Sequence, residues 1–525
     1  MKTTLRRALL TAALGAGTAG VVLPATPADA PAGFLSSCTA TDWTMFGHDL
    51  GRSFASPDTC ISPVTAATLT PKWFFNTNGP VSAQPMVAGG SVYVGAFTGL
   101  FYSISAAAGT QNWAFDTTKY DHEVTDYGVD ASAAVTTLGG TQMVLFGGGD
   151  TFFVLKTSDG SLLGSQCLDR LDPTCQGKSH ITSEIESSPA IVAWTPGASW
   201  TPGDDLVVVG NDANEAAPSP VEGLVALQLS PSGALTPLWQ FDPETLTTYA
   251  GLAPPETTPA DHGCGDVWSS PTVDLASRTI VFGAGNCGHP ANPNQDESTF
   301  AVALDSGDLL WQARPDPYTN QRDFDFGATP NLLGSGLVGE GGKDGTYYAY
   351  RLDSSSTSPT AVWKTTVATG SGIGGMIGST AVGRITDPVS GATDEAVFCD
   401  TAIPVAEDDP SGSIENDVTN PTQAMGVHAI DAVTHQVVWN LPAAPTYGAA
   451  VFDNGVVFVP DTVSDSLLVL DADTGAVIKA IPLDAPSSSP VAISGGSLYM
   501  GAGTTENGLP GTSSLGGVWG FQTVP

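Results

Sequence analysis

One phrase recurs along this chain and constrains its folding more than any other feature. An apolar strand leads into a turn carrying Asp or Ala ahead of Gly, and the next strand ends in Trp or an equivalent. The clearest copies are ISAAAGTQNWAF (104–115), LDSGDLLWQ (304–312), IDAVTHQVVWN (430–440) and LDADTGAVIKAI (470–481). A second kind of hairpin precedes the phrase, in QPMVAGGSVYVGA (84–96), SSPTVDLASRTIVFGAG (269–285), AAVFDNGVVFVP (449–460) and SSPVAISGGSLYMGAG (488–503). Apolar alternation interrupted by Gly-Gly or Asn-Gly turns reads as half-buried antiparallel strands. Counting the starts gives eight units, near residues 82, 131, 187, 268, 327, 377, 447 and 487. Four strands would fill each unit, and sheets repeated in this way lose their exposed edges by closing radially. The expected fold is therefore all-β, a single eight-bladed β-propeller of four-stranded antiparallel blades over residues 71–525, after a lead-in over 31–70. The last unit ends in GGVWGFQ (516–522), and the strand around Lys72–Phe75 is expected to complete its sheet as a closing clasp. Clusters of Pro, Gly, Asp and Ser at 196–204, 212–221, 251–266 and 403–424 mark face loops.

Composition agrees with many short strands. Gly 61 and Pro 39 make up about a fifth of the chain, which argues against a helical bundle. Lys+Arg 17 against Asp+Glu 53 gives a net charge of −36, so nucleic acid and anionic lipid are not expected partners. Charged residues are only 13% and hydrophobic ones 41%, so a large packed core is available.

Residues 1–30 read as a secretory signal peptide: Lys2, Arg6 and Arg7 precede an apolar stretch from Ala8 to Val22, and small residues follow. Cleavage after Ala28, Ala30 or Ala32 stays open. The apolar stretch is short for a bilayer span, and no later segment reaches spanning length. The mature chain is expected to be secreted, soluble and monomeric. An oxidising compartment suits its seven cysteines, for which local pairing is the economical arrangement: Cys38 with Cys60, Cys167 with Cys175 and Cys264 with Cys287, leaving Cys399 unpaired. No Cys-x-x-Cys-His run for covalent haem and no short-spaced zinc ligand set occurs.

The phrase Leu/Ile-Asp-x-x-Thr/Ser-Gly-x-x-x-Trp resembles the repeat of the pyrroloquinoline-quinone (PQQ) propellers, the quinoprotein alcohol dehydrogenase-like family. DWTMFGHDLGRSFAS (42–56), followed by LTPKWFF, is similar to the N-terminal part of that family, most of all its polyvinyl-alcohol dehydrogenase branch, here without a cytochrome domain. The resemblance spans nearly all of residues 42–522 and implies PQQ and Ca²⁺ as cofactors. Five positions carry it into a site. Trp268 in DVWSSPTVD and Asn286 in FGAGNCGHP, eighteen residues on, match the cofactor-stacking tryptophan and the metal-ligand asparagine. An indole suits a planar ring, and an amide oxygen suits Ca²⁺. Glu184 in SEIESSPAIV matches the metal-binding glutamate, with Glu186 a near rival on the same strand face. Asp325 in QRDFDFGATPNLL, flanked by Asp323, matches the general base and further metal ligand. Lys343 in GGKDGTYYAYRLD falls where the family has a cation beside the quinone oxygens.

The implied function is oxidation of a small alcohol or a polyol, polyvinyl-alcohol-like in kind, with electrons passed to an external acceptor such as a separate cytochrome. Departures from the family are plain. There are no adjacent cysteines, and no arginine in HEVTDYGVDASAA (122–134) answers the family's arginine upstream of the metal glutamate. The alternative is a non-catalytic propeller that binds a protein or polysaccharide through its loops. GGGD (147–150) and GAGN (283–286) read as turn glycines with no following helix to cradle phosphate, and neither a Gly-x-Ser-x-Gly elbow nor a His-Glu-x-x-His zinc site is present.

Overall fold

The structure, a computed structural model, describes residues 38–121, 128–170, 173–175, 184–212, 222–254, 264–287, 298–315, 324–370, 374–386, 391–402, 425–443, 446–462, 464–504 and 516–524. Eight antiparallel sheets follow one another along the chain, each built from strands consecutive in sequence except the last. Their innermost strands are Met86–Ala88, Ala134–Leu138, Ala190–Ala193, Thr272–Asp274, Asn331–Leu333, Ala381–Thr386, Val451–Asp453 and Ala492–Ser494, here blades 1 to 8. In blade 8 the outermost strand is Thr70–Asn76, paired antiparallel with Gly517–Gln522, so the expected clasp closes the ring. Helix among the described residues is limited to the single turn Pro63–Ala66 and two 3-10 turns. Three sheets carry an extra strand: Thr247–Ala250 extends blade 3, Cys264–Asp266 pairs with the long second strand of blade 4, and Ala55–Ser56 lies parallel against blade 7. Of the expected face loops, 196–204 is described; most of the others lies outside the described residues.

The recurring Trp and Gly have one job. Trp113, on the outer strand of blade 1, donates its indole N–H to the Thr157 carbonyl in the turn of blade 2 at 2.8 Å. A Cβ on Gly160 of that turn would lie 2.7 Å from the indole. Trp439 of blade 6 repeats the contact on blade 7, bonding the Ala472 carbonyl at 2.8 Å beneath Gly475. Trp73 of blade 8 does so across the seam on blade 1, bonding the Ala106 carbonyl at 3.1 Å beneath Gly109. These glycines sit at φ of 65–71°, the left-handed region that a side chain disfavours, so the position asks for glycine twice over.

Residues 43–58 wind through one end of the axial channel and touch the inner strands almost in order. Trp43 bridges to Val87, and the carbonyls of Thr44, Leu50, Gly51, Ser53 and Phe54 accept from Val135, Val273, Leu332, Val382 and Phe452 at 2.7–2.8 Å. The inner strand edges, which would otherwise face the bore unpaired, are satisfied in this way. Arg52 sits fully buried in the spiral and donates to the carbonyls of Phe46, Ser188 and Pro271 at 2.5, 3.1 and 2.9 Å. Burial pulls its guanidinium down to about 9, against the opposing pull of nearby Asp49.

Cys38–Cys60 and Cys167–Cys175 are disulfides and Cys399 is free and buried, as expected. Cys264 stands opposite Cys287 in the ladder of blade 4; their side chains lie outside the described residues.

Replacing Arg52 by Met removes the donors to three buried carbonyls, each costing about 1–3 kcal/mol when left unmet. The expected outcome is a clearly lower guanidinium unfolding midpoint by tryptophan fluorescence; an unchanged midpoint would show that the spiral holds without this residue.

Candidate functional site at the propeller axis

Where each chain segment enters its inner strand, alternate residues face the axis and the core. Ile185, Val267 and Phe326 are buried in the core between blades, which turns Glu186, Trp268 and Gly327 toward the axis. Two residues further on stand Ser188, Ser270 and Thr329. The same two levels recur in every blade and line one cavity of about 190 Å³.

The level nearer the spiral is a ring of hydroxyls. The N–H groups of Gln84, Ser132, Ser188, Ser270 and Thr329 donate in turn to the side-chain oxygens of Ser132, Ser188, Ser270, Thr329 and Ser379, at 2.8–3.1 Å. Each bond crosses from one blade to the next. Ala449 and Pro490 hold the equivalent lining positions in blades 7 and 8, where no such hydroxyl exists.

The next level carries Asp130, Glu186, Trp268, Gly327, Ile377 and Tyr447. Trp268 leans from blade 4 onto blade 5. A Cβ on Gly327 would lie 1.5 Å from its Cη2, and one on Gly285 would lie 2.7 Å from its Nε1. The indole therefore occupies a crease that a methyl group would fill. Its Nε1 is buried with no hydrogen-bond partner among the described residues.

Asp325 adjoins that crease: a Cβ on Gly285 would also come within 2.8 Å of its side chain. Asp325 is 1% exposed and Lys343 6%. The Lys343 Nζ donates to Asp325 Oδ2 at 2.5 Å and lies 5.5 Å from the centroid of the Trp268 ring. A backbone bond from Lys343 N–H to the Asp325 carbonyl, 3.0 Å, fixes the two segments together. Behind them, burial raises the Glu340 carboxyl well above the usual range, opposed by the Thr299 hydroxyl that it accepts at 2.5 Å.

Three of the five expected residues, Trp268, Asp325 and Lys343, are thus gathered at one place. Asn286 follows Gly285 on the strand Thr279–Cys287, so its backbone adjoins the crease; its side chain lies outside the described residues. Glu184 is tied to Asp212 by a reciprocal backbone bridge at 2.8 and 3.0 Å. It stands two residues before Glu186, and it is Glu186 that lines the described cavity. Asp323, and residues 122–127 of the 122–134 stretch where the family's arginine is missing, lie outside the described residues. Two acids that the sequence reading did not single out also belong here. Asp130 lines the cavity, and Asp266, 1% exposed, faces Gly285 in the ladder. The signal was available: counting back from each unit's Ser/Thr by two and four residues lands on them.

Residues 55–228 and 424–514, about half of the chain, match a PQQ-repeat family model described as outer membrane protein assembly factor BamB. The chain belongs to this family. Its fold is that of the quinohemoprotein alcohol dehydrogenase from Comamonas testosteroni, with TM-score 0.62 and 16% identity, covering 92% of this chain and 80% of that one. A quinohemoprotein alcohol dehydrogenase from Pseudomonas putida HK5 aligns with TM-score 0.60, 16% identity and the same coverage of 92% and 80%. A europium-containing methanol dehydrogenase aligns with TM-score 0.62 and 12% identity, over 92% and 98%. No curated protein sequence matches significantly.

Gly327→Ala is expected to displace the Trp268 indole, since the added methyl group would overlap it. The check is near-UV circular dichroism with the thermal midpoint: an altered tryptophan band and a lower midpoint are expected, and a wild-type spectrum would contradict the packing described.

Proposed function

We propose that this chain is an exported PQQ- and Ca²⁺-dependent dehydrogenase that oxidises an alcohol or polyol and passes the electrons to a separate acceptor such as a cytochrome. Residues 1–30 would be the leader and 31–70 the lead-in to the propeller. Two disulfides are in keeping with folding in an oxidising compartment. No described helix is long and apolar enough to cross a membrane.

The observation that carries the reading is the meeting of Asp325 and Lys343 beside Trp268, whose side chain lines the axial cavity. The residues fit a planar quinone. An indole wedged into a glycine crease offers a fixed apolar floor. The implied cation ligands Glu184, Asn286 and Asp325 are all oxygen donors, the set that Ca²⁺ prefers. Among the described residues no three His, Cys, Asp or Glu side chains gather at metal-binding separation. When bound, PQQ supplies a two-electron acceptor and Ca²⁺ polarises its carbonyl.

The chain's own residues do the rest. Asp325 takes the substrate hydroxyl proton at a carboxylate oxygen. The Lys343 ammonium holds that carboxylate in place and offsets its charge in a buried setting, where an unpaired charge would be costly. Trp268 orients the ring, and the hydroxyl ring beneath lends a polar, ordered base to the cavity. Glu186 and Asp130, facing the same cavity, favour a hydroxyl-rich substrate over an anionic one.

The second reading, a non-catalytic binding module, draws on the family model, which is described as an assembly factor. Reconstitution separates the two. Protein incubated with PQQ and Ca²⁺ is expected to keep quinone absorbance through gel filtration and to reduce a dye on addition of an alcohol; no retention favours the binding module. Asp325→Asn is expected to retain quinone while turnover falls by about 10²–10⁴, the usual contribution of a general base. Undiminished turnover would place the base elsewhere.

A further inference from the structure

Far from the axial site, Asp453 ends the inner strand of blade 7 and is 0% exposed. Neither of its carboxylate oxygens has a hydrogen-bond partner among the described residues. The short strand Ala55–Ser56 runs parallel beside it, with Ser56 opposite Asp453. Two residues on comes Asp58, 1% exposed, whose oxygens accept the N–H of Cys60 at 2.7 Å and of Gly495, in the inner hairpin of blade 8, at 2.6 Å. Two buried carboxylates therefore share one seam among the N-terminal spiral, blade 7 and blade 8, and among the described residues no basic side chain forms an ion pair with either of them. An unpaired buried carboxylate is expensive. Burial first, and the charge of Asp58 second, push the Asp453 carboxyl up to about 8.

We propose that Asp58 and Asp453 bind a divalent cation, Ca²⁺ by its preference for oxygen, which staples the N-terminal spiral to blades 7 and 8. The donors are hard oxygens: two carboxylates and the Ser56 hydroxyl, which accepts the Asp58 N–H at 2.9 Å, with water completing the shell. A cation of this kind takes about six to eight such ligands. A proton on Asp453 would neutralise the charge and leave the other lone pairs unmet, whereas a cation meets several at once. The location explains what the ion would do. Residues 55–60 are held to the propeller by one two-residue parallel pairing and by Asp58, and Cys38–Cys60 ties the preceding strand of chain to the same spot. An ion bound only by the folded arrangement stabilises it by mass action. This site is independent of the dehydrogenase reading, and neither its presence nor its loss bears on Asp325.

The test uses the full mature chain, stripped with chelator and titrated with CaCl₂ alone, without quinone. Wild-type protein is expected to bind Ca²⁺ and to gain several degrees in thermal midpoint; Asp453→Asn is expected to lose one equivalent of bound Ca²⁺ by calorimetry and most of the thermal gain. The same stoichiometry and the same gain in Asp453→Asn and Asp58→Asn would overturn the proposal. So would an Asp453→Asn protein that is more stable than wild type in chelator with unchanged Ca²⁺ stoichiometry, since the two acids would then share a proton. Should neither variant fold, lanthanide-soaked wild-type crystals decide: anomalous density between Asp58 and Asp453 supports the site, and its absence there overturns it.

Discussion

Everything in this molecule depends on each blade leaning on the next. A four-stranded sheet of this size has two faces and two edges and cannot bury both faces alone. The ring solves this by packing each sheet against its neighbours. The indole of Trp113, Trp439 or Trp73 crosses to the turn of the following blade and satisfies a turn carbonyl. The glycine beneath it, at positive φ, serves the turn and the docking together. Because Trp73 belongs to the N-terminal strand of blade 8 and docks on blade 1, the same contact that joins neighbours also locks the seam between the two ends of the propeller. Aromatic pairs add to it between blades: Phe101 of blade 1 stacks on Phe146 of blade 2, with centroids 3.8 Å apart.

The bore at the centre is where packing stops being sufficient. Inner strands that converge on an axis present polar edges to a space too narrow for another sheet. The chain fills one end with its own residues 43–58 and one guanidinium, and lines the rest with hydroxyls that bond around the ring. The spiral requires left-handed backbone at His48, Arg52 and Phe54, φ 76, 52 and 48°, a local cost accepted for the edge bonds it delivers. The consequence for chemistry is a cavity stopped at one end by the spiral, so that the candidate site lies above a fixed floor.

Much of this was legible because repetition amplifies a weak signal. Unit starts read from turn spacing fall within a residue of the positions that line the cavity, and the Lys72–Phe75 clasp, the two disulfides and the free Cys399 follow the expected pattern. Trp268, Asp325 and Lys343 were found by resemblance and do come together. The spiral was not legible: DWTMFGHDLGRSFAS has no periodicity, since its backbone partners are six different inner strands, each met at one residue. The hydroxyl ring escaped notice for a different reason. Ser and Thr before a strand read as ordinary turn residues, and their side chains acquire meaning only when the neighbouring blade's N–H arrives. The choice between Glu184 and Glu186 turned on two residues of register that a single strand start cannot fix.

The repeat also explains why fold and function separate so cleanly in this family. Where the Trp–Gly contact and the core apolars recur they answer the same packing demand from the neighbouring blade, so they report architecture. The axis-facing residue of each blade faces open space and is released from that demand. At one level the occupants are Ser82, Asp130, Glu186, Trp268, Gly327, Ile377, Tyr447 and Ser488, alike only in the two serines. Gly327 is meaningful there only because Trp268 precedes it by one blade and needs the room. The same logic governs Lys343, which lies in the turn before a third strand and reaches Asp325 across a single backbone bond. In such a chain, function is written where the repeat fails, at positions whose equivalence the repeat itself reveals. A scaffold and an enzyme built on this ring would share every stitch between blades and differ in these few inward residues.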